Sequence, residues 1–150
     1  MSIPPLPDGL EDNDLTRAAN ALHSASIHVL RRARAADRES GLTPERLSLL
    51  SVLVYAGART IGALAAIEGV SAPAISRIVT ALEAGGLARR GRTKDAREVT
   101  VIATARGRRL VEEGRRRRLM LIARELERFT RSDIQKIRAV AEMLERRDGV

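Results

Sequence analysis

A chain of 150 residues is about one ordinary domain long, enough to bury roughly two-thirds of its unfolded surface, and its 44% apolar content suits a globular protein. Aromatic residues make up only 1% (Tyr55 and Phe129), so the core must be built from Leu, Ile, Val and Ala. The absence of cysteine excludes a disulfide, a thiolate nucleophile, a thiolate zinc site and a cysteine redox switch, while the net charge of +8 draws polyanions, nucleic acid and anionic membrane alike.

The start, MSIPPLPDGLEDND, lacks the basic-then-apolar order of a signal peptide, and no stretch nears the roughly 20 apolar residues of a membrane span, so a soluble cytoplasmic protein is expected. Pro4, Pro5 and Pro7 with several acidic residues mark residues 1–13 as a flexible, extended arm. From Asp14, a candidate N-cap, apolar residues recur at Leu15, Ala18, Leu22, Ala25, Val29 and Ala33, a stripe on a long first helix ending near Gly41. Thr43 before Pro44 then supplies a capping hydroxyl and a proline at the first helical position. The helix that follows, PERLSLLSVLVYAG, is apolar on nearly every side and predicts the buried centre of the fold, with Tyr55 in the core.

Between Thr60 and Gly86 two short helices flank Gly69-Val70-Ser71, and LARRGRTKDAREVTVIAT reads as two strands around a basic loop, with Val99 and Val101 alternating imperfectly with their neighbours. Thr104 can cap a basic helix reaching about Phe129, with Gly114 marking a bend or close packing. Thr130 and Asp133 form a variant capping box for a last helix bearing Ile134, Ile137, Ala141 and Leu144. In the run Arg115 to Arg118, Glu112 and Glu113 stand four residues before Arg116 and Arg117, which predicts a solvated, salt-bridged face. His23 and His28, five apart, do not share a face as a metal pair would, and no metal or other cofactor is expected.

A helix-turn-helix needs a small residue at the crossing, a left-handed residue in the turn, and apolar residues locking the second helix to the first. Ala65, Gly69 and the set Ile61, Leu64, Val70, Ile75, Ile78, Val79 and Leu82 meet these needs, and Ser71 is placed to cap the second helix. Ser71, Pro73, Ala74, Ser76, Arg77 and Thr80 are then left facing outward, small or hydrogen-bonding as entry into a major groove about 12 Å wide requires. Arg89, Arg90, Arg92, Lys94 and Arg97 gather five cations against Asp95 on the hairpin that follows, a wing able to track phosphates and place Arg97 in the minor groove.

At this point the sequence resembles the MarR family of bacterial regulators over about residues 14 to 147. The run SAPAISRIVTALEAGGLARRGRTKDAREVTVIATARG looks like the family's recognition helix, wing and following helix start, and Asp95-Ala96-Arg97 matches its D-x-R wing signature. Ala96 stands where a second Arg is frequent, and Ala103-Thr104 where Leu-Thr is common. The resemblance implies that Asp95 supports the wing through an Arg, that Arg97 reaches the minor groove, and that a small effector, often an aromatic acid or a cationic compound, binds between DNA-binding and dimer lobes, with His23 and Tyr55 as candidates to line its pocket.

The fold class expected is mainly α with a small β-hairpin: a winged helix-turn-helix lobe at 43–103 flanked by dimerisation helices at 14–42 and 104–150. The stripes Leu15, Leu22, Val29 and Ile134, Ile137, Leu144 exceed what one small core can cover, which points to a homodimer. The leading reading is a repressor whose two recognition helices enter successive major grooves of duplex DNA about 34 Å apart. An architectural protein coating DNA with little sequence preference stays open, and specific over random-DNA affinity separates the two. No enzyme is expected, because isolated histidines, no cysteine, no clustered carboxylates and no phosphate loop leave no catalytic constellation.

Overall fold

The computed structural model describes residues 3–37, 40–92 and 99–146. Along the chain run α1 (Asp14–Asp37), α2 (Pro44–Tyr55), β1 (Arg59–Thr60), α3 (Ile61–Glu68), α4 (Ala72–Ala84), β2 (Ala88–Arg92), β3 (Val99–Ala103), α5 (Ala105–Leu126) and α6 (Arg131–Glu145). They fall into two compact units, Ala36–Arg117 and Met1–Ala35 with Arg118–Val150.

In the unit Ala36–Arg117, α2 begins as its sequence dictates. Thr43 is extended, its hydroxyl accepts from the Arg46 N–H at 3.4 Å, and Pro44 occupies the first turn. Hydrogen bonds from its own backbone N–H and from Thr43 hold the Glu45 carboxyl below its ordinary range. Leu47, Leu49, Leu50 and Leu53 are buried and join Leu64, Ile75, Val79, Leu82, Leu87, Val101 and Val111 in an entirely aliphatic core. Tyr55 does not join them. It lies two residues beyond Leu53, about 200° around the helix, and is 59% exposed.

Thr60 caps α3 by accepting from the Ala63 N–H at 3.2 Å, and Gly69 ends it at φ 67°, ψ 29°, a left-handed conformation that favours glycine. The Gly69 and Val70 N–H groups both close onto the Ala65 carbonyl, and α4 leaves at a bend of 107° to α3. Two expectations fail here. Ser71 holds the N-cap position but makes no side-chain capping bond. Val70, in the turn itself, stays exposed, whereas Ile78, half-buried, packs against the core as expected.

The sheet has three strands in the order β1-β3-β2, all antiparallel, rather than a bare hairpin. Arg59 and Arg90 flank Val101 on either side, which makes β3 central and explains why Thr100 is buried beside Val101, against the expected alternation. β1 is two residues long, too short to leave a period in the sequence.

Thr104 ties the sheet to α5. Its N–H donates to the Leu87 carbonyl at 3.0 Å, its hydroxyl donates to the Gly86 carbonyl at 2.8 Å, and the same oxygen accepts from the Gly107 N–H at 3.0 Å. Gly107 lies so close beneath that a Cβ there would sit 2.1 Å from the Leu87 carbonyl oxygen.

In the other unit, α1 is capped by Asn13 rather than Asp14. The Asn13 Oδ1 accepts from the Thr16 N–H at 3.0 Å and the Thr16 hydroxyl accepts from the Asn13 N–H at 3.1 Å, a reciprocal box that puts Asp14 at the first helical position. The preceding segment is not simply extended. It turns at Asp8–Leu10, Asn20 Nδ2 donates to the Pro4 carbonyl at 2.8 Å, and Arg17 pairs with Asp12 at 2.6 Å. Thr130 caps α6 by accepting from the Asp133 N–H at 3.2 Å, while its hydroxyl donates to the Asp133 carboxylate. Arg32 forms an ion pair with Glu125. Apolar side chains remain exposed along α1 and α6, including Leu15, Leu22, Val29, Ile134, Ile137, Val140, Met143 and Leu144.

Replacing a helical glycine by alanine ordinarily adds about 0.5–1 kcal/mol of stability. Gly62, in α3 with nothing within 4 Å of a Cβ, should behave so. Gly107→Ala should reverse the sign, because the new methyl must displace backbone, and cost about 2–3 kcal/mol. Thermal denaturation of both variants at one protein concentration tests this: a Gly107→Ala protein as stable as the parent would refute the close approach.

Candidate nucleic-acid interface

Helix α4 carries two opposed stripes. Ile75, Val79 and Leu82, spaced four and three residues apart, have no accessible surface. Pro73, Arg77 and Thr80 repeat the same spacing two residues earlier, about 200° around the helix, and all three are exposed, as is Ser71 before them. Ala74 and Ser76, expected to face outward with them, are half-buried at the flanks of this face. Arg77 has no ion pair among the described residues, so its five guanidinium donors are available. Thr80 is less free: its hydroxyl donates to the Ser76 carbonyl at 3.0 Å, which leaves a methyl group and a lone pair to offer.

On the hairpin the two described arginines differ. Arg89 is exposed and has no ion pair among the described residues, whereas Arg90 is tied down. Its backbone N–H donates to Glu83 Oε1 at 2.8 Å, its Nη1 pairs with Glu83 Oε2, and its Nη2 approaches the Thr80 hydroxyl at 3.4 Å. Glu83 is the residue the sequence reading missed. Its only signal was an acidic side chain seven residues before an arginine, across a turn whose geometry the sequence does not specify. The Arg92 side chain, Lys94, Asp95 and Arg97 lie outside the described residues.

His23 is exposed on α1, and Tyr55 is exposed at the end of α2 in the other unit. A hollow formed by the proline-rich segment against α1 is lined by Ile3, Arg17 and Asn20 among others, but by neither of these residues. No group of three or more His, Cys, Asp or Glu among the described residues could hold a metal ion. In the run Arg115–Arg118 the first two residues are exposed and the last two half-buried, so the run is less uniformly solvated than its sequence suggests. No single helix among the described residues is long and apolar enough to cross a membrane.

Comparison with known proteins agrees with this architecture. A family model described as MarR family matches residues 40–98. An HTH-type transcriptional regulator from Mycobacterium tuberculosis is 32% identical over 134 residues, covering 89% of this chain and 93% of the relative. The fold is similar to that of a MarR family protein from Bacillus stearothermophilus, with a TM-score of 0.79 at 21% identity over 91% of this chain and 96% of that one. It is also similar to that of NadR in complex with 4-hydroxyphenylacetate, with a TM-score of 0.61 at 20% identity over 97% and 100% of the two chains. With the 107° helix-turn-helix and its following antiparallel hairpin, these likenesses place the chain in the MarR family of winged helix-turn-helix transcriptional regulators.

Proposed function

We propose that this regulator is a cytoplasmic repressor that binds a pseudo-palindromic operator in duplex DNA as a homodimer. The observation that carries the reading is the exposed face of α4, where Pro73, Arg77 and Thr80 stand opposite a fully buried stripe, with the guanidinium of Arg77, which has no ion pair among the described residues, at their centre. Arg77 is assigned to base readout, where a bidentate contact to a guanine edge contributes about 1–3 kcal/mol of discrimination. Ser71, Ala74 and Ser76 flank that contact, Arg89 tracks phosphate, and the hairpin residues Arg92, Lys94, Asp95 and Arg97 form the wing.

Residues 43–103 act as the DNA-reading lobe in this scheme, with 14–42 and 104–150 supplying the dimer. Support comes from the apolar residues left uncovered on α1 and α6, since Leu15 at 79% and Met143 at 61% exposure are costly in a lone chain. Two-fold symmetry would then set two copies of α4 about 34 Å apart, one turn of the duplex. The likeness to NadR suggests a small aromatic acid as the effector class that releases DNA, and His23 and Tyr55 are offered as residues that meet it.

Light scattering at micromolar concentration should give a mass near twice the 16.4 kDa of one chain. A folded monomer there would end the dimer proposal.

DNA reading is tested with a duplex selected by the protein from random sequence and a scrambled control, at two salt concentrations. Arg77→Ala should cost about 1–3 kcal/mol on the selected duplex, with much less loss on the control. Arg97→Ala should weaken binding to both and lower the slope of log K against log salt by about one unit. Undiminished affinity in both variants would refute this placement of the DNA-reading surface, and a preference below about 10³-fold would favour an architectural role.

A further inference from the structure

The Glu83–Arg90 pair sits where a DNA-binding surface has least use for a carboxylate. We propose that Glu83 is a positioning residue: it fixes the wing strand on the C-terminal end of the recognition helix, and Arg90 serves this latch instead of touching phosphate. The inference rests on the DNA-binding reading above.

Strand β2 is at the edge of the sheet, so backbone N–H groups that point away from β3 have no strand partner. The Arg90 N–H is one of them, and Glu83 Oε1 accepts from it at 2.8 Å. The other oxygen of the same carboxylate pairs with Arg90 Nη1. One side chain thus satisfies the backbone and the guanidinium of a single residue, which fixes both the position of the strand and the direction of its arginine. Arg90 Nη2 extends the grip to the Thr80 hydroxyl at 3.4 Å, and Thr80 is itself held to the Ser76 carbonyl at 3.0 Å. Residues 76, 80 and 83 are spaced four and three apart, so the latch runs along one stripe of α4.

The Glu83 side chain is 26% exposed and that of Arg90 39%, so water screens the pair less than it does a fully solvated one. Only Gly85, Gly86 and Leu87 separate the helix from the strand, and Leu87 is already anchored in the core. The latch therefore acts farther out, at the point where the hairpin leaves the core and its direction is not otherwise set by burial.

The two assignments for Arg90 predict opposite signs for one substitution. If Arg90 contacts phosphate, Glu83→Gln removes a repelling charge, frees the guanidinium and tightens DNA binding. If Glu83 positions the wing, Glu83→Gln weakens binding to the selected duplex, by roughly three- to tenfold. Arg90→Met, which keeps the apolar stem, should weaken binding to a similar degree, and the double variant should be no worse than either single one. Neither substitution should add its loss to that of Arg97→Ala, because each acts through the wing. Titrations of all six variants, the two combinations with Arg97→Ala included, with thermal midpoints compared, decide the matter. Tighter or unchanged binding by Glu83→Gln overturns the proposal, as does full additivity of Arg90→Met with Arg97→Ala; should Glu83→Gln fail to fold, that additivity test stands alone. A parent protein that binds no duplex even at low salt removes the DNA-binding reading and this inference together.

Discussion

Ile75, Val79 and Leu82 lose all contact with water, and doing so fixes the rotation of α4 about its own axis. Each such side chain contributes about 1.5–3 kcal/mol on burial, so together they rival the roughly 5–15 kcal/mol that holds a whole domain folded. Turning α4 by a single residue, about 100°, would expose much of this stripe, and no surface interaction is large enough to offset that. The orientation of Pro73, Arg77 and Thr80 is thus a by-product of core packing. A surface meant to read a rigid partner gains from being set this way, since its side chains need no ordering of the backbone on contact.

A second constraint acts at the other end of the hairpin. The Leu87 carbonyl accepts from the Thr104 N–H and lies against the bare Cα of Gly107, so the strand leaving α4 and the helix leaving β3 meet at backbone distance. Any side chain at position 107 would separate them. The hairpin is consequently held at its base by backbone contacts and farther out by Glu83, two attachments of different character. The first is buried and insensitive to solvent, while the second is polar and partly exposed.

Much of this organisation could be read from residues alone, for identifiable reasons. Thr43-Pro44, Gly69 and Thr104 declare themselves because capping and left-handed turns depend on local chemistry, and each behaves as its type demands. Ile75, Val79 and Leu82 are legible because their spacing has only one helical solution. Tyr55 was misjudged because its apolar neighbours suggest burial, although its angular position opposes Leu53. β1 and the Glu83–Arg90 contact were invisible for a different reason: each depends on which segments the fold brings together, and neither leaves a period or a motif in the chain.

The same distinction governs the charge. A net +8 describes the whole chain, but the field at a binding surface depends on which cations lack a partner. Arg17 is held by Asp12, Arg32 by Glu125, Arg90 by Glu83 and Arg138 by Glu142, so these arginines present dipoles more than monopoles. Arg77 and Arg89 are exposed and have no such pairing among the described residues. On the face formed by α4 and β2, a polyanion therefore meets the charges of Arg77 and Arg89, while that of Arg90 is spent on Glu83. Such local pairing bears on selectivity, because unpaired arginine strengthens binding to every sequence alike.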